Sequence, residues 1–359
     1  MPIRRPDALI TNIAAKEEKT MPKDAKNGER DQARRSVVCG IGALAASLLL
    51  VSIAHCAVAQ TTGYPSRTVR ILVGYSPGGT VDAMARLIAY NLREPLRQSV
   101  IVENHPGASG NIAAQAVGRA PADGHTLLFG NPAEMVINKF MMKDMSFDPD
   151  ADFAPVVLVF NVPNVLVVPA NSPYKTLVEL LDDARKNPGK VTYASAGSGT
   201  PGHLAGETLA LRAKAPMVHV PYKGGIPALT DVTAGHVNFY FAGLSAAIPH
   251  WKAGKIRMLA MASTSRATIA PEVPTVAEVA VPGFNFPIWG GLFVPSGTPR
   301  DVVALLSREV NQIYLRPDVQ ARMVSEQSEI QQNSPEQFGA FVKAESEKYR
   351  QVLKWIAEK

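Results

Sequence analysis

From Tyr64 onward, short apolar runs alternate with stretches of helical period, and most runs end in a turn rich in glycine. Val69–Gly74 reads as a strand that enters Pro77-Gly78-Gly79-Thr80. Asp82–Arg97 then puts Met84, Leu87, Ile88 and Leu92 on one helical face, and Val100–Val102 is a second short strand. The unit repeats: Asn104-His-Pro-Gly-Ala-Ser-Gly-Asn111 is another glycine turn, Ile112–Arg119 a helix of small residues, and Thr126–Phe129 an apolar strand. Strand, glycine loop and helix in this order predict parallel pairing, with the loops at the carboxyl ends of the strands.

A less regular stretch follows. Val156–Phe160 and Val165–Val168 are β-rich runs interrupted by Asn161-Val162-Pro163-Asn164, which reads as a crossing between two lobes. Thr176-Leu-Val-Glu179 matches a capping box and opens a helix. Strand Val191–Ala194 runs into Ser195-Ala-Gly-Ser-Gly-Thr-Pro-Gly-His203, and strand Met217–Val220 into Tyr222-Lys-Gly-Gly225. Further strands are predicted at Val237–Phe241 and Ile256–Met261, with helices at Pro227–Ala234 and Ala246–Ala253. Pro287–Pro295 reads as the return crossing, and the remainder as helices from Pro299, Pro317 and Pro335. The expected architecture is α/β and two-lobed: a discontinuous first domain of residues 60–162 and 288–359 and a second of 163–287, each a mainly parallel sheet flanked by helices, joined by two crossover strands.

The first sixty residues break this pattern. A charged stretch ends at Arg34-Arg35, an apolar run spans Val37 to Ala54, and Ala57-Val58-Ala59 supplies a small-x-small site, so residues 1–59 read as a signal peptide with an extended polar leader, cleaved before Gln60. The run is rich in Gly and Ala and short for a membrane span. Met21 is an alternative start, and Arg34-Arg35 only weakly matches a twin-arginine signal. Both cysteines, Cys39 and Cys56, fall inside this leader, so the mature chain would have no disulfide, thiolate metal site or cysteine nucleophile. The leader carries nine Lys/Arg against six Asp/Glu, so the net charge of +6 becomes +3 on its removal, too mild for a nucleic-acid partner. With 46% hydrophobic and 19% charged residues the rest is globular, and the expectation is a monomeric exported protein in the periplasm.

Glycine loops from both halves would face one another across a cleft. Their backbone N–H groups, the helix dipoles behind them and the hydroxyls of Ser76, Thr80, Ser109, Ser198 and Thr200 suit a carboxylate. His203 could donate to the ligand or be satisfied by backbone; Lys223 is a ligand cation or a solvated charge; Asp82 caps its helix more readily than it recognises an amine. Tyr75, Tyr222 and Trp289 are candidate walls or core residues, and Ala133, Glu134 and Leu244 could shape the far end. No G-x-S-x-G surrounds Ser195 or Ser198, no H-E-x-x-H occurs, and the first loop misses both G-x-G-x-x-G and the P-loop, so no cofactor, metal or catalytic residue is assigned. A serine hydrolase using Ser198 with His203 is the alternative from another class; a ligand sensor for a membrane signalling partner is a third.

Tyr64-Pro-Ser-Arg-Thr-Val-Arg-Ile-Leu-Val, Pro77-Gly-Gly-Thr-Val-Asp82, Glu103-Asn-His-Pro-Gly-Ala-Ser-Gly-Asn-Ile112, Pro121-Ala-Asp-Gly-His-Thr-Leu-Leu128, Tyr193-Ala-Ser-Ala-Gly-Ser-Gly-Thr, Val220-Pro-Tyr-Lys-Gly-Gly225 and Pro295-Ser-Gly-Thr-Pro299 together resemble the substrate-binding proteins of tripartite tricarboxylate transporters, the Bug receptors. The resemblance implies a periplasmic binding protein of the type II kind that closes on a small organic acid and hands it to membrane permease subunits. It carries ligand contacts onto Ser76, Gly78, Gly79, Thr80, Ser109, Gly110 and Asn111 on one lobe, beside the wall candidate Tyr75, and onto Ser198, Gly199, Thr200, His203, Lys223 and Gly224 on the other. His105 and Ser109 depart from the family's usual Arg and Gly at the second loop.

Overall fold

The computed structural model describes residues 63–325, 327–328 and 332–358, which belong to one compact unit. The leader, its two cysteines and its cleavage site lie outside the described residues.

The first sheet forms from β1 (Val69–Val73), β2 (Val100–Asn104), β3 (Thr126–Gly130), β4 (Phe153–Val162) and β10 (Ile288–Pro295), in the order β2-β1-β3-β10-β4. β1 is parallel to β2 and β3, with Val69 opposite Val100 and Arg70 opposite Thr126. β10 enters between β3 and β4, antiparallel to both. The second sheet contains β5 (Asn164–Pro169), β6 (Thr192–Ser195), β7 (Val218–Pro221), β8 (Phe239–Gly243) and β9 (Ile256–Met261), ordered β7-β6-β8-β5-β9. Again four strands run one way and one, β5, is inserted antiparallel between β8 and β9. Each lobe is therefore a mixed sheet in which the crossing strand breaks the parallel run.

The strands read as buried ones should. In β1 only Arg70 is exposed, and its guanidinium holds Glu103 on β2 at 2.6 and 2.7 Å; the other four positions face helices on both sides. Helices α1 (Thr80–Leu96), α2 (Asn111–Gly118), α3 (Asn138–Met141), α4 (Leu177–Lys186), α5 (Pro201–Arg212), α6 (Gly225–Thr233), α7 (Leu244–Lys252) and α8 (Val276–Val279) connect the strands. Helices α9 (Arg300–Ile313), α10 (Pro317–Ser325) and α11 (Pro335–Ala357) complete the chain. α1 buries Met84, Ala85, Ile88, Ala89 and Leu92, the apolar face that the period predicts. The stretch that had no clear period holds a π-helical turn, Ala133–Ile137, running directly into α3.

The two crossings lie side by side. Val162 and Asn161 pair with Ile288 and Trp289, the Asn164 amide donates to Phe286 O at 2.8 Å, and Asn164 O accepts from Ala262 N at 2.7 Å. Behind them the core is continuous: one apolar cluster joins Leu128 and Phe293 of the first sheet to Phe239 and Phe241 of the second through Phe284, Phe286 and Tyr349. α11 seals that side. Its Glu345 accepts the indole N–H of the fully buried Trp289 at 3.0 Å, and Phe338 packs edge-on against the same indole. Trp355, by contrast, is exposed.

Candidate functional site

Four helices begin at the carboxyl ends of strands and point their N-termini at one place. α1 starts after Gly79, α5 after Thr200, α6 after Gly224 and α7 after Gly243, and no side chain caps any of the four. Their first turns leave backbone N–H groups without helical partners, and each N-terminus carries roughly half a positive charge.

Local bonds fix these corners. At the first, the Gly78 N–H donates to Asp82 Oδ2 at 2.9 Å, while Arg86 Nε and the Asn104 amide reach the same carboxylate at 2.9 and 2.8 Å. Burial works against the charge of Asp82, but these donors hold it below the ordinary carboxylate range. Asp82 is thus spent on bracing the turn. At the second corner, Thr200 Oγ1 donates to Gly197 O at 2.7 Å, and Gly199 N–H donates to His203 Nδ1 at 3.1 Å. Behind it, Ser195 Oγ lies 2.6 Å from His219 Nε2, and the rings of His203 and His219 stand 4.1 Å apart. Burial, and then the neighbouring His203, pushes the His219 imidazole down to about 4; burial lowers His203 as well, against the pull of Glu207.

The first turns of the four helices enclose a cavity of about 60 Å³, lined also by Tyr75, Asn131, Ala196, Tyr240, Phe241 and Ile288. At about 15 Å³ per water that is room for roughly four waters, the scale of a small acid's polar end. Among the described residues that line it there is no Lys, Arg or His, and the lone charged one is Asp82. Two bonds join the lobes across the cleft: Ser109 Oγ donates to Ser198 O at 2.5 Å, and Thr80 Oγ1 lies 2.9 Å from Ser245 Oγ.

Of the residues expected at the site, Tyr75, Gly79, Thr80 and Thr200 line this cavity. Ser109, Ser198, Ser76 and Gly224 lie where the lobes touch: Gly224, at φ 138°, sits so close to Ser76 that a Cβ there would meet the Ser76 hydroxyl. The N–H groups of Gly78 and Gly199 are already used within their own turns. Asn111 bonds to Asn138 and Met142, Gly110 packs against Glu134, His203 stands behind its loop, and Lys223 is exposed. Tyr222 donates to Asp231 at 2.6 Å and Trp289 is deep in the core, so the aromatic walls are Tyr75, Tyr240 and Phe241 instead. Asn131, Tyr240, Gly243, Ser245 and Ile288 were not anticipated. Asn131 and Gly243 follow or end apolar strands at their carboxyl ends, the position where open α/β sheets bind ligands, and that rule alone points to both.

Glu134 lies behind this wall and is fully buried. Its Oε1 accepts the Asn131 N–H at 3.0 Å, and its Oε2 is 3.0 Å from the Tyr75 hydroxyl. Burial pushes its carboxyl up to about 8. Ser198 offers its carbonyl to Ser109, His203 Nδ1 is taken by Gly199, and the Ser–His contact of this corner is Ser195–His219, with Ser195 fully buried. Among the described contacts, no histidine is hydrogen-bonded to the Ser198 hydroxyl. Among the described residues no group of three or more His, Cys, Asp or Glu is placed to hold a metal.

Two mixed sheets joined by paired crossings, with uncapped helix N-termini converging between them, define a two-lobed binding protein. The chain belongs to the tripartite tricarboxylate transporter family receptors, whose family model matches residues 84–357. The UPF0065 protein of the tcbD-tcbE intergenic region from a Pseudomonas species is 38% identical over 321 residues, 89% of this chain and 94% of that protein. Among solved structures, R. palustris Rpa4515 with adipate superposes with a TM-score of 0.79 at 34% identity, covering 82% of this chain and 98% of that one. MatC (Rpa3494) from Rhodopseudomonas palustris with bound malate gives 0.77 at 31% identity, covering 80% and 99%. The family and these neighbours are periplasmic binding receptors, not enzymes. Among the described residues no helix is long and apolar enough to cross a membrane.

Proposed function

We propose that this protein captures a small dicarboxylate in the cleft and delivers it to the membrane subunits of a tripartite tricarboxylate-type transporter. The observation that carries the reading is the convergence of four uncapped helix N-termini on a cavity that has no cation of its own. Fixed backbone donors bind an anion with charge-assisted hydrogen bonds, about twice as strong as neutral ones. A handful of these meets the roughly −8 kcal/mol that micromolar binding needs. The adipate and malate held by the two neighbours support an aliphatic dicarboxylate as ligand.

In this reading Tyr75, Gly79, Thr80 and Thr200 contact the ligand, joined by Asn131, Tyr240 and Gly243. Ser76, Ser109, Ser198 and Gly224 close the lobes over it, and Gly78, Gly110, Asn111, Gly199 and His203 hold the loops. Residues 60–162 with 288–359, and 163–287, act as the two moving bodies. The chain works as a monomer after removal of residues 1–59, and Lys223 stays in solvent.

The test is a thermal-shift and calorimetric screen of protein freed of co-purified ligand, against malate, adipate, citrate, amino acids and aromatic acids. A ligand at a hundred times its Kd stabilises the native state by about 2.7 kcal/mol, which raises the midpoint measurably. A midpoint unmoved by every acid overturns the reading.

A further inference from the structure

The environment of the Tyr75 hydroxyl is short of hydrogens, and one more proton fills its closest contact. Three oxygens surround it: Ser109 O at 3.1 Å, Asn131 Oδ1 at 3.3 Å and Glu134 Oε2 at 3.0 Å. The Asn131 atom is fixed as an oxygen because it accepts the Ala133 N–H at 3.0 Å. A phenol carries one hydrogen, so with Glu134 ionised it could serve a single acceptor, leaving two lone-pair contacts inside a dry site. A hydrogen on Glu134 Oε2 cuts the two unsatisfied contacts to one: the acid donates to the phenol oxygen, and the phenol donates to Ser109 O at 3.1 Å, leaving the longer Asn131 Oδ1 contact at 3.3 Å, whose oxygen is already served by the Ala133 N–H. Glu134 Oε1 meanwhile keeps the Asn131 N–H at 3.0 Å.

Tyr75 and Asn131, the two residues that this carboxyl holds, both line the cavity. We propose that Glu134 is a proton-holding positioning residue, a neutral acid one hydrogen bond behind the ligand, so that the receptor binds its anion together with a retained proton. The inference rests on the reading of the cavity as a carboxylate site. An ionised Glu134 would set a negative charge behind a cavity without cations to offset it. Few groups nearby compete. Tyr75 faces it from the end of β1, with Tyr240 of β8 behind that phenol. On α3, Lys139 is tied outward to Asp150; on α11, Glu345 is paired with Lys348 and Trp289, while Glu336, Lys343, Glu347, Arg350, Lys354 and Glu358 are exposed. The second loop and the start of α2 contribute Ser109, Gly110 and Asn111, none of which titrates.

The sign follows from linkage. Burial already pushes the empty-site carboxyl up to about 8, and an anion across Tyr75 pushes it further, so the bound state holds its proton to higher pH and affinity falls as pH rises. A bound-state rise of one unit makes Kd about fivefold larger at pH 9 than at pH 7. Glu134→Gln keeps a donor toward Tyr75 at every pH, so its ratio of Kd values between those pH values stays near one. Calorimetry with adipate or malate, whichever shifts the midpoint more, reads both ratios. In parallel, the infrared carboxylic-acid C=O band of the ligand-free protein is compared with that of Glu134→Gln. The expected result is a band that is present at pH 7, absent in the variant and lost as pH rises. A missing band, or a wild-type Kd equal at the two pH values, overturns the proposal. If no acid binds at all, the transport reading is what falls, and the infrared band still decides the proton.

Discussion

Helix starts at the cleft and away from it can be compared directly. Away from the cleft, α4, α8 and α11 open with complete capping boxes, in which Thr176, Thr275 and Ser334 accept from Glu179, Glu278 and Gln337 backbone N–H groups and those side chains reach back. At the cleft, α1, α5, α6 and α7 have no side-chain cap at all. With Gly79, Gly224 and Gly243 at the N-caps of α1, α6 and α7, the missing cap forgoes only a few tenths of a kcal/mol. α2, α3 and α9 also start without a side-chain cap, so what sets α1, α5, α6 and α7 apart is that their open ends share a single cavity.

The sharpest way to break this comparison is to obstruct the open ends without touching a donor. Gly243 has φ −58° and ψ 131°, allowed for any residue, yet a Cβ there would come within 2.8 Å of Thr80 Oγ1 and 3.3 Å of Ile288 Cδ1. Gly243→Val should weaken dicarboxylate binding at least about a hundredfold, beyond the roughly 1–3 kcal/mol that overpacking takes from ligand-free stability, as calorimetry and thermal melts will show. At the other kind of helix start the pattern inverts. Thr176→Ala should cost about 1 kcal/mol and roughly 2–4 °C of midpoint, while the Kd for the same acid stays that of wild type.

The smallest expected effect concerns the corner that His203 and His219 support. Both imidazoles are held neutral when folded, and an unfolded histidine titrates near 6.5. The unfolded chain therefore binds more protons below that value, and stability should fall as pH drops from about 6.5 to about 4, levelling off below the His219 value of about 4. Melts across that range should show the slope, and His219→Asn should flatten part of it. An unchanged slope would remove His219 from the account.

The first and third loops were legible because glycine, proline and hydroxyl residues between an apolar strand and an amphipathic helix state their geometry locally. Gly79, Thr80 and Thr200 could be placed on that ground. Asn131 and Glu134 could not, since the π-helical turn that buries them follows neither a helical nor a strand period. Tyr240 and His219 sit on strands, where a polar tip or an imidazole reads as an ordinary alternating position. Only the pairing of β6 with β7 and β8 brings those side chains to the cleft and to His203. The crossings were readable as breaks in the pattern, but the antiparallel insertion of β5 and β10 into otherwise parallel sheets depends on pairings with strands far along the chain, Asn164 with Gly243 and Ile288 with Val162.

A site assembled from main-chain N–H groups has an unusual relation to heredity. Twenty amino acids share that donor save one, so among point mutations only a change to proline can delete it. Side chains around the cavity can therefore drift, and with them the length and shape of what fits, while the portion that grips the anion passes unaltered between lineages. Such a receptor can change its diet without ever losing its hold.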